Sequence, residues 1–344
     1  MGIHNLNKFL RSKCPEVYKE VHLSELQFQK GAVDISLYIF KYMTIFGEGA
    51  WLSAMINLVS CLRRNNIHSC FIYDTSAPPE KMREREDRKE KQNKLNVKIE
   101  DLSQALERAR LTGEIDKILM DLNTTKQKRL LGKSVFNLDE VEYEIERIKK
   151  QSVHLTKNDF DMTKKIFDLL GIPYFQAPVE AETTCSDLCK VGKVDFVISE
   201  DTDVLAYGAP LFLTKINTST DTGVLIKYQD ILDALELSPT QFLDLCIMCG
   251  TDYNKNIYKV GPEKAYKLIK QYITIDSIPL DISILNHIRV RELFIDYKKC
   301  NEDVKYCTKP LFNDLAKFAF ENNIRINIDK LKKDFSPPEI MFEE

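Results

Sequence analysis

Three short apolar runs, each with an aspartate at or next to its end, constrain this chain more than any other feature. They are residues 31–35 (GAVDI), 70–74 (CFIYD) and 195–201 (DFVISED). Runs this short, apolar on both alternating positions, read as strands buried on both faces. Helical patterns lie between them at 51–64, 157–170 and 180–191. Strands alternating with helices predict an α/β fold with a central, mostly parallel sheet flanked by helices. In such sheets functional groups gather at the carboxyl ends of the strands. Asp34, Asp74 and Asp201 stand at three such ends.

The chain of 344 residues has 44% hydrophobic and 29% charged residues, so it can bury a large core without disulfides. No apolar run approaches the ~20 residues of a membrane span. The first residues lack a signal-peptide core, and position 6 is Leu, which breaks the myristoylation pattern at Gly2. With nine cysteines and no secretory signal, the expected setting is a reducing intracellular compartment: nucleus, cytoplasm or a viral replication site. Cys246 and Cys249 form a C-x-x-C inside an apolar helical run with no second pair, and Cys185 and Cys189 lie one turn apart. Both pairs read as buried small residues rather than metal ligands.

Net charge is −3, but it is unevenly spread. Residues 81–98 hold eight Lys or Arg against four Asp or Glu, in a weakly amphipathic helical pattern extending to about 150. Such an arm is either a solvated helix pair or a surface for an anionic polymer. After about residue 228 the chain reads as helical. Ser238 and Pro239 open one helix and Gly250 closes it, while Gly261 and Pro262 open the next. The organisation expected is 1–228 as α/β core with an insertion at about 80–150, 229–332 as a helical region, and 333–344 as a short tail.

Acids recur where acids are unusual. Asp203 follows Asp201 by two, so an extended turn would face both to one side. Glu180 and Glu182 flank a helix start, and Asp252 follows an apolar helix. One such acid is often a cap or turn former. Seven converging would repel one another unless counter-charge were present. An all-oxygen set suits Mg²⁺ or Mn²⁺ rather than zinc. Two such ions about 4 Å apart would clamp a phosphodiester. The five histidines show no spacing that suggests a nucleophile or base.

These motifs resemble those of the flap endonuclease family, whose superfamily includes the 5′-exonucleases and the xeroderma pigmentosum group G nucleases. The resemblance runs in order through residues 1–6 (MGIHNL), 32–36 (AVDIS) and 71–74 (FIYD) with Pro78 and Pro79. It continues through 169–174 (LLGIPY), 177–182 (APVEAE), 199–205 (SEDTDVL), 207–210 (YGAP), 243–247 (LDLCI), 250–253 (GTDY), 260–262 (VGP) and 264–265 (KA). It implies a PIN-like nuclease fold with a helical arch and a C-terminal helix–two-turn–helix module. It implies a centre for two Mg²⁺, with Mn²⁺ as a substitute, formed by Asp34, Asp74, Glu180, Glu182, Asp201, Asp203 and Asp252.

By the same resemblance Lys81 and Arg88, seven apart and so on one helix face, would meet the scissile phosphate from the arch. Phe40 would stack on a base. Gly2, Asn256, Ile257, Val260, Gly261 and Lys264 would meet the DNA, with backbone carbonyls of Asn256, Ile257 and Val260 holding a K⁺. The implied partner is branched or flapped DNA, bound by a monomer. No sliding-clamp motif is recognisable.

The sequence also departs from the family pattern. Glu263 stands where a basic residue is usual and Lys259 where Gly is usual. The segment between Asp74 and Glu180 is some thirty residues longer than in typical cellular members, and that between Phe40 and Trp51 is shorter. Richness in Lys, Ile and Asn fits a viral or divergent unicellular source. The motifs are shared with processive 5′→3′ exonucleases and RNA-directed relatives. A catalytically dead junction-binding member would be expected to have lost some of the carboxylates, and none is lost here.

Overall fold

The computed structural model describes residues 2–47, 49–127 and 137–336. Seven strands form one sheet: β1 (Lys19–His22), β2 (Lys30–Asp34), β3 (His68–Tyr73), β4 (Tyr174–Gln176), β5 (Phe196–Ile198), β6 (Leu211–Asn217) and β7 (Thr222–Lys227). Their order is β1-β7-β6-β5-β2-β3-β4. The five from β6 to β4 are parallel, and β7 and β1 add an antiparallel edge.

The central strands are apolar without interruption because both faces are covered. Alternate residues divide between two cores. Ala32, Cys70, Ile72 and Val197 face the layer containing helices Ala181–Lys190 and Pro239–Cys249. Val33, Phe71, Tyr73, Phe196 and Ile198 face the layer of helices Ile35–Phe46, Trp51–Arg64 and Lys157–Leu170. Phe71 stacks on Phe167 with ring centroids 4.2 Å apart. The period of two along a strand thus sorts one sequence into two cores.

The charged arm is the helix Met82–Thr112. Its basic first half is mostly exposed. Its second half builds a small core of its own, in which Leu102, Ala105, Leu106 and Ala109 meet Leu119, Val141 and Ile145 of helices Lys117–Gln127 and Leu138–Lys149. The extra length between Asp74 and Glu180 therefore folds as a separate lobe rather than against the sheet. Residues 128–136 of the expected insertion lie outside the described residues.

Helix Pro239–Cys249 begins at a Ser238 capping box with Gln241, as the local sequence predicts. It is tied to helix His287–Ile295 by fully buried Asp244, which accepts from Arg291 Nε at 2.6 Å and Nη2 at 2.7 Å. The last helix, Ile328–Asp334, runs two residues into the expected tail, which from 337 lies outside the described residues. Cys185, Cys189, Cys246 and Cys249 are free and buried, as read from the sequence. Among the described residues no helix is long and apolar enough to cross a membrane.

Candidate active site

The carboxyl ends of β2, β3 and β5 point to one place, and each aspartate there accepts a backbone N–H at a helix start. Asp34 ends β2 and caps helix Ile35–Phe46, accepting from the Ser36 N–H at 3.0 Å. The Ser36 hydroxyl donates to Asp74 Oδ2 at 2.7 Å. Asp74, one residue past β3, accepts the Ala181 N–H at 2.8 Å through Oδ1, so it caps helix Ala181–Lys190 in place of Glu180, whose own side chain makes no capping bond. The helix start thereby frees Glu180 and Glu182 to face the strand ends.

Asp201 and Asp203 do not share an extended turn. Thr202 is helical (φ −78°, ψ −8°), and Asp203 opens a short helix, Asp203–Ala206. Asp201 Oδ1 accepts the Asp203 N–H at 2.9 Å, and the Asp201 N–H is held by Ser199 Oγ at 3.1 Å. The two acids still reach the same site. Gly2 closes it on one side: with φ +82°, a Cβ there would come within 2.0 Å of Asp201 Oδ1 and 2.8 Å of Asp203 Oδ1. Only glycine fits that approach.

The counter-charge that the strand segments lack comes from the insertion. Lys81 does not lie on the arm helix with Arg88 but ends the 3₁₀ turn Pro79–Lys81 just before it. It is 8% exposed, with Nζ 2.8 Å from Glu180 Oε1 and 3.2 Å from Asp252 Oδ2. Arg88 Nη2 reaches Asp252 Oδ2 at 3.1 Å and also pairs with Glu84. Burial alone would push the Lys81 ammonium down, but Glu182, Glu180 and Asp252 outweigh it and drive its pKa up.

One ammonium does not neutralise the set. Asp34, Glu182 and Asp203 are all driven well above the usual carboxylate range. Burial is the main cause for each, followed by Asp74 and Asp201 at Asp34, and by Asp201 and Asp252 at Asp203. At Glu182 Lys81 pulls the other way while Asp201, Asp203 and Asp34 push up. Asp201 is raised as well, again mainly by burial. Both oxygens of Asp203 and Oε2 of Glu182 are buried with no hydrogen-bond partner.

Buried, partnerless carboxylate oxygens are rare and costly. As a donor set they fit hard divalent cations: all oxygen, net negative, with lone pairs unspent. As the side chains stand, no three His, Cys, Asp or Glu groups among the described residues converge on one cation-sized point. Lys81 sits among them instead, so cation binding would require the carboxylates to turn.

Two tyrosines, quoted in the motifs but given no role from sequence, back this centre. Tyr253 donates to Glu180 Oε2 at 2.6 Å, and Tyr207 lies 2.6 Å from the Tyr253 hydroxyl. Their adjacency to Asp252 and to the segment after Asp203 was the only available signal.

A cleft of about 1160 Å³ runs from Asp252 and Gly2 past the basic face of the arm helix, with Arg83, Arg88 and Lys91, to Asn256, Tyr258 and Lys259. In that loop Asn256 Nδ2 donates to the Val260 carbonyl at 2.9 Å, and the Val260 N–H donates to the Ile257 carbonyl at 3.0 Å. Gly261 precedes helix Pro262–Tyr272, where Lys264 sits in the first turn. Lys259 has φ +60°, which is why glycine would be the easier residue there. Glu263 pairs with Lys13 at 3.1 Å, so its charge is answered within the protein. Phe40 is 39% exposed on helix Ile35–Phe46, rather than in the core.

A parallel sheet with acids at its strand ends, a basic arm over them and a helical module beside them is the architecture of a nuclease superfamily. Residues 1–95 match the XPG N-terminal domain and residues 171–252 the XPG I-region. The chain belongs to the family of XPG- and Rad2-like nucleases that includes the flap endonucleases. It is 35% identical to the probable RAD2-like endonuclease 076L of Invertebrate iridescent virus 3, over 95% of this chain and 92% of that one. To flap endonuclease 1 of Cryptosporidium parvum it is 29% identical, over 97% of this chain and 70% of that one. In fold it resembles the catalytic core of Rad2 in complex with DNA substrate, with a TM-score of 0.66 at 16% identity, covering 97% of this chain and 98% of that one. It also resembles flap endonuclease-1 from Methanococcus jannaschii, with a TM-score of 0.61 at 21% identity, covering 92% and 94%. A viral or divergent unicellular member, as expected, fits these relatives.

Proposed function

We propose that this protein is a divalent-cation-dependent, structure-specific 5′ nuclease that acts on flapped or branched DNA in replication, repair or recombination. The observation that carries the reading is a group of neighbouring acids at separate strand ends and helix starts, Asp34, Glu180, Asp201 and Asp203 among them buried, with Asp203 and Glu182 oxygens left unpaired. A purely structural set of caps would have spent those lone pairs on N–H groups.

Asp34, Asp74, Glu180, Glu182, Asp201, Asp203 and Asp252 are the residues that would hold two Mg²⁺, or Mn²⁺ in their place. When bound, such ions supply an activated water and offset charge on the departing oxygen. The protein's own groups do the rest. Lys81 and Arg88, now on Glu180 and Asp252, are long enough to turn to a phosphate and stabilise charge as it develops there. The cleft beside the arm helix accepts a backbone. The loop at 256–261 and the N–H groups opening helix Pro262–Tyr272 grip a duplex phosphate without reading sequence; a K⁺ there would draw on the carbonyls of Asn256, Ile257 and Val260, the last two of which already accept one hydrogen bond each. Lys264 adds a cation, and Phe40 a ring for stacking. Substrate choice then follows junction shape.

The test uses a 5′-labelled double-flap DNA with Mg²⁺ and with chelator, beside linear duplex, an RNA flap and an Asp201→Asn variant. One cut near the flap base, lost with chelator and in the variant, supports the reading. Mononucleotide release from a duplex end would replace it with a processive exonuclease, and preferential cutting of the RNA flap with an RNA-directed relative. Tight junction binding with no cleavage in Mg²⁺ or Mn²⁺ would leave a binding protein on a nuclease scaffold.

A further inference from the structure

Glu180 is the one acid of the centre with both oxygens held by other side chains. Lys81 Nζ meets Oε1 at 2.8 Å and Tyr253 meets Oε2 at 2.6 Å. Behind Tyr253 lies Tyr207, its hydroxyl 2.6 Å away. The two rings are 7% and 3% exposed. Both pack on Phe294 of helix His287–Ile295, with centroids 5.4 and 4.7 Å away.

The proton order follows from the chemistry. The Tyr253 hydroxyl donates to Glu180 Oε2, so its single proton is spent there. The Tyr207 proton must then point at the Tyr253 oxygen. The chain runs in one direction, from Tyr207 through Tyr253 to Glu180, the N-cap of helix Ala181–Lys190.

We propose that Tyr253 and Tyr207 are positioning residues that pin one oxygen of Glu180 and leave the other, now on Lys81, as its single ligand oxygen for a divalent cation. This rests on the nuclease reading of the site. A carboxylate free at both oxygens can turn to bind a cation with two oxygens. A short bond from Tyr253 on Oε2 removes that option. Asp203 shows the contrast, since neither of its oxygens has a partner. Because the rings rest on Phe294, the C-terminal helical region fixes the orientation of an acid at the edge of the sheet.

Two tyrosines that merely satisfy their own hydroxyls would affect stability alone, so the test reads chemistry and cation affinity. Tyr253→Phe removes one O–H and keeps the ring. Single-turnover cleavage of a 5′-flap DNA should fall about 10- to 100-fold, the usual cost of removing a partner that orients a metal ligand. The Kd for the same DNA in Ca²⁺ should be unchanged, and Mn²⁺ affinity by calorimetry should fall. Tyr207→Phe should show a smaller loss, and adding it to Tyr253→Phe should cost nothing further. Wild-type cleavage rate and Mn²⁺ affinity in Tyr253→Phe, with or without a lowered melting temperature, would overturn the proposal. Should Tyr253→Phe fail to fold, Tyr207→Phe, one link away, decides by the same readouts. If the wild-type protein cuts no DNA, the nuclease reading fails on its own. The Mn²⁺ titration of the two proteins still decides the positioning role, and equal affinities would overturn it.

Discussion

Asp203 has no solvent exposure, no hydrogen-bond partner on either oxygen, and Asp201 and Asp252 as neighbours. Such a residue is retained at a cost to stability. Asp203→Asn should therefore raise the stability of the cation-free protein by about 1 kcal/mol while abolishing cleavage. Chemical denaturation in chelator beside a flap assay checks both halves. The pH dependence has a definite sign. Asp34, Glu182 and Asp203 have folded pKa values above their unfolded ones, so the native state binds more protons than the unfolded chain between about pH 4 and those raised values. In that window these three groups favour folding more as pH falls. Asp276 runs the other way: His287 and Arg291 hold it at about 2, so its contribution is present above the unfolded value and lost as pH drops towards 2. A divalent cation must displace the protons that the raised acids take up. Mg²⁺ should accordingly raise the melting temperature more at about pH 8 than at about pH 5.5. Equal shifts at both would exclude these acids as its ligands.

At the scale of elements, local rules carry far where an element makes its own ends. Helices Trp51–Arg64 and Lys157–Leu170 fall where periodicity puts them, and Pro239–Cys249 falls between its Ser238 cap and Gly250. The elements missed are those that exist only through partners. β1 is polar and pairs only with β7, β6 and β7 were not singled out although each holds three consecutive apolar residues, and β4 has three residues paired to β3. Residues 297–311, within a stretch read as helical, hold no regular element. The tie between helices Pro239–Cys249 and His287–Ile295 was likewise invisible, since Asp244 and Arg291 are far apart in sequence. Removing one partner of such a buried pair strands a charge. Asp244→Ala should cost about 3 kcal/mol in a urea titration. It should also slow cleavage, because Phe294, which supports Tyr207 and Tyr253, sits on the second helix.

For the whole molecule, Lys81 is the point where three regions meet. It comes from the base of the inserted lobe, pairs with Glu180 beside the sheet, and pairs with Asp252 of the C-terminal region. Next to it Glu80 is bound by Arg289 at 2.7 Å, a further tie between lobe and C-terminal region beside Arg88 on Asp252. Lys81→Ala should destabilise the cation-free protein by about 3 kcal/mol, because it strands buried acids. Mg²⁺ should recover part of that loss, while cleavage stays at least 100-fold down. Melting curves with and without Mg²⁺ separate this from simple loss of packing, which the ion would not repair.

The sequence alone determined the parallel sheet, the acids at its strand ends and the basic arm, because burial on both faces, strand termini and charge runs are properties of contiguous residues. The tertiary structure decided what answers those acids. Lys81 supplies the counter-charge, Asp74 caps a helix that begins about a hundred residues later, and two tyrosines from separate segments hold Glu180. Those contacts join residues that only the folded chain brings within hydrogen-bonding distance, where burial makes a single bond or charge decisive.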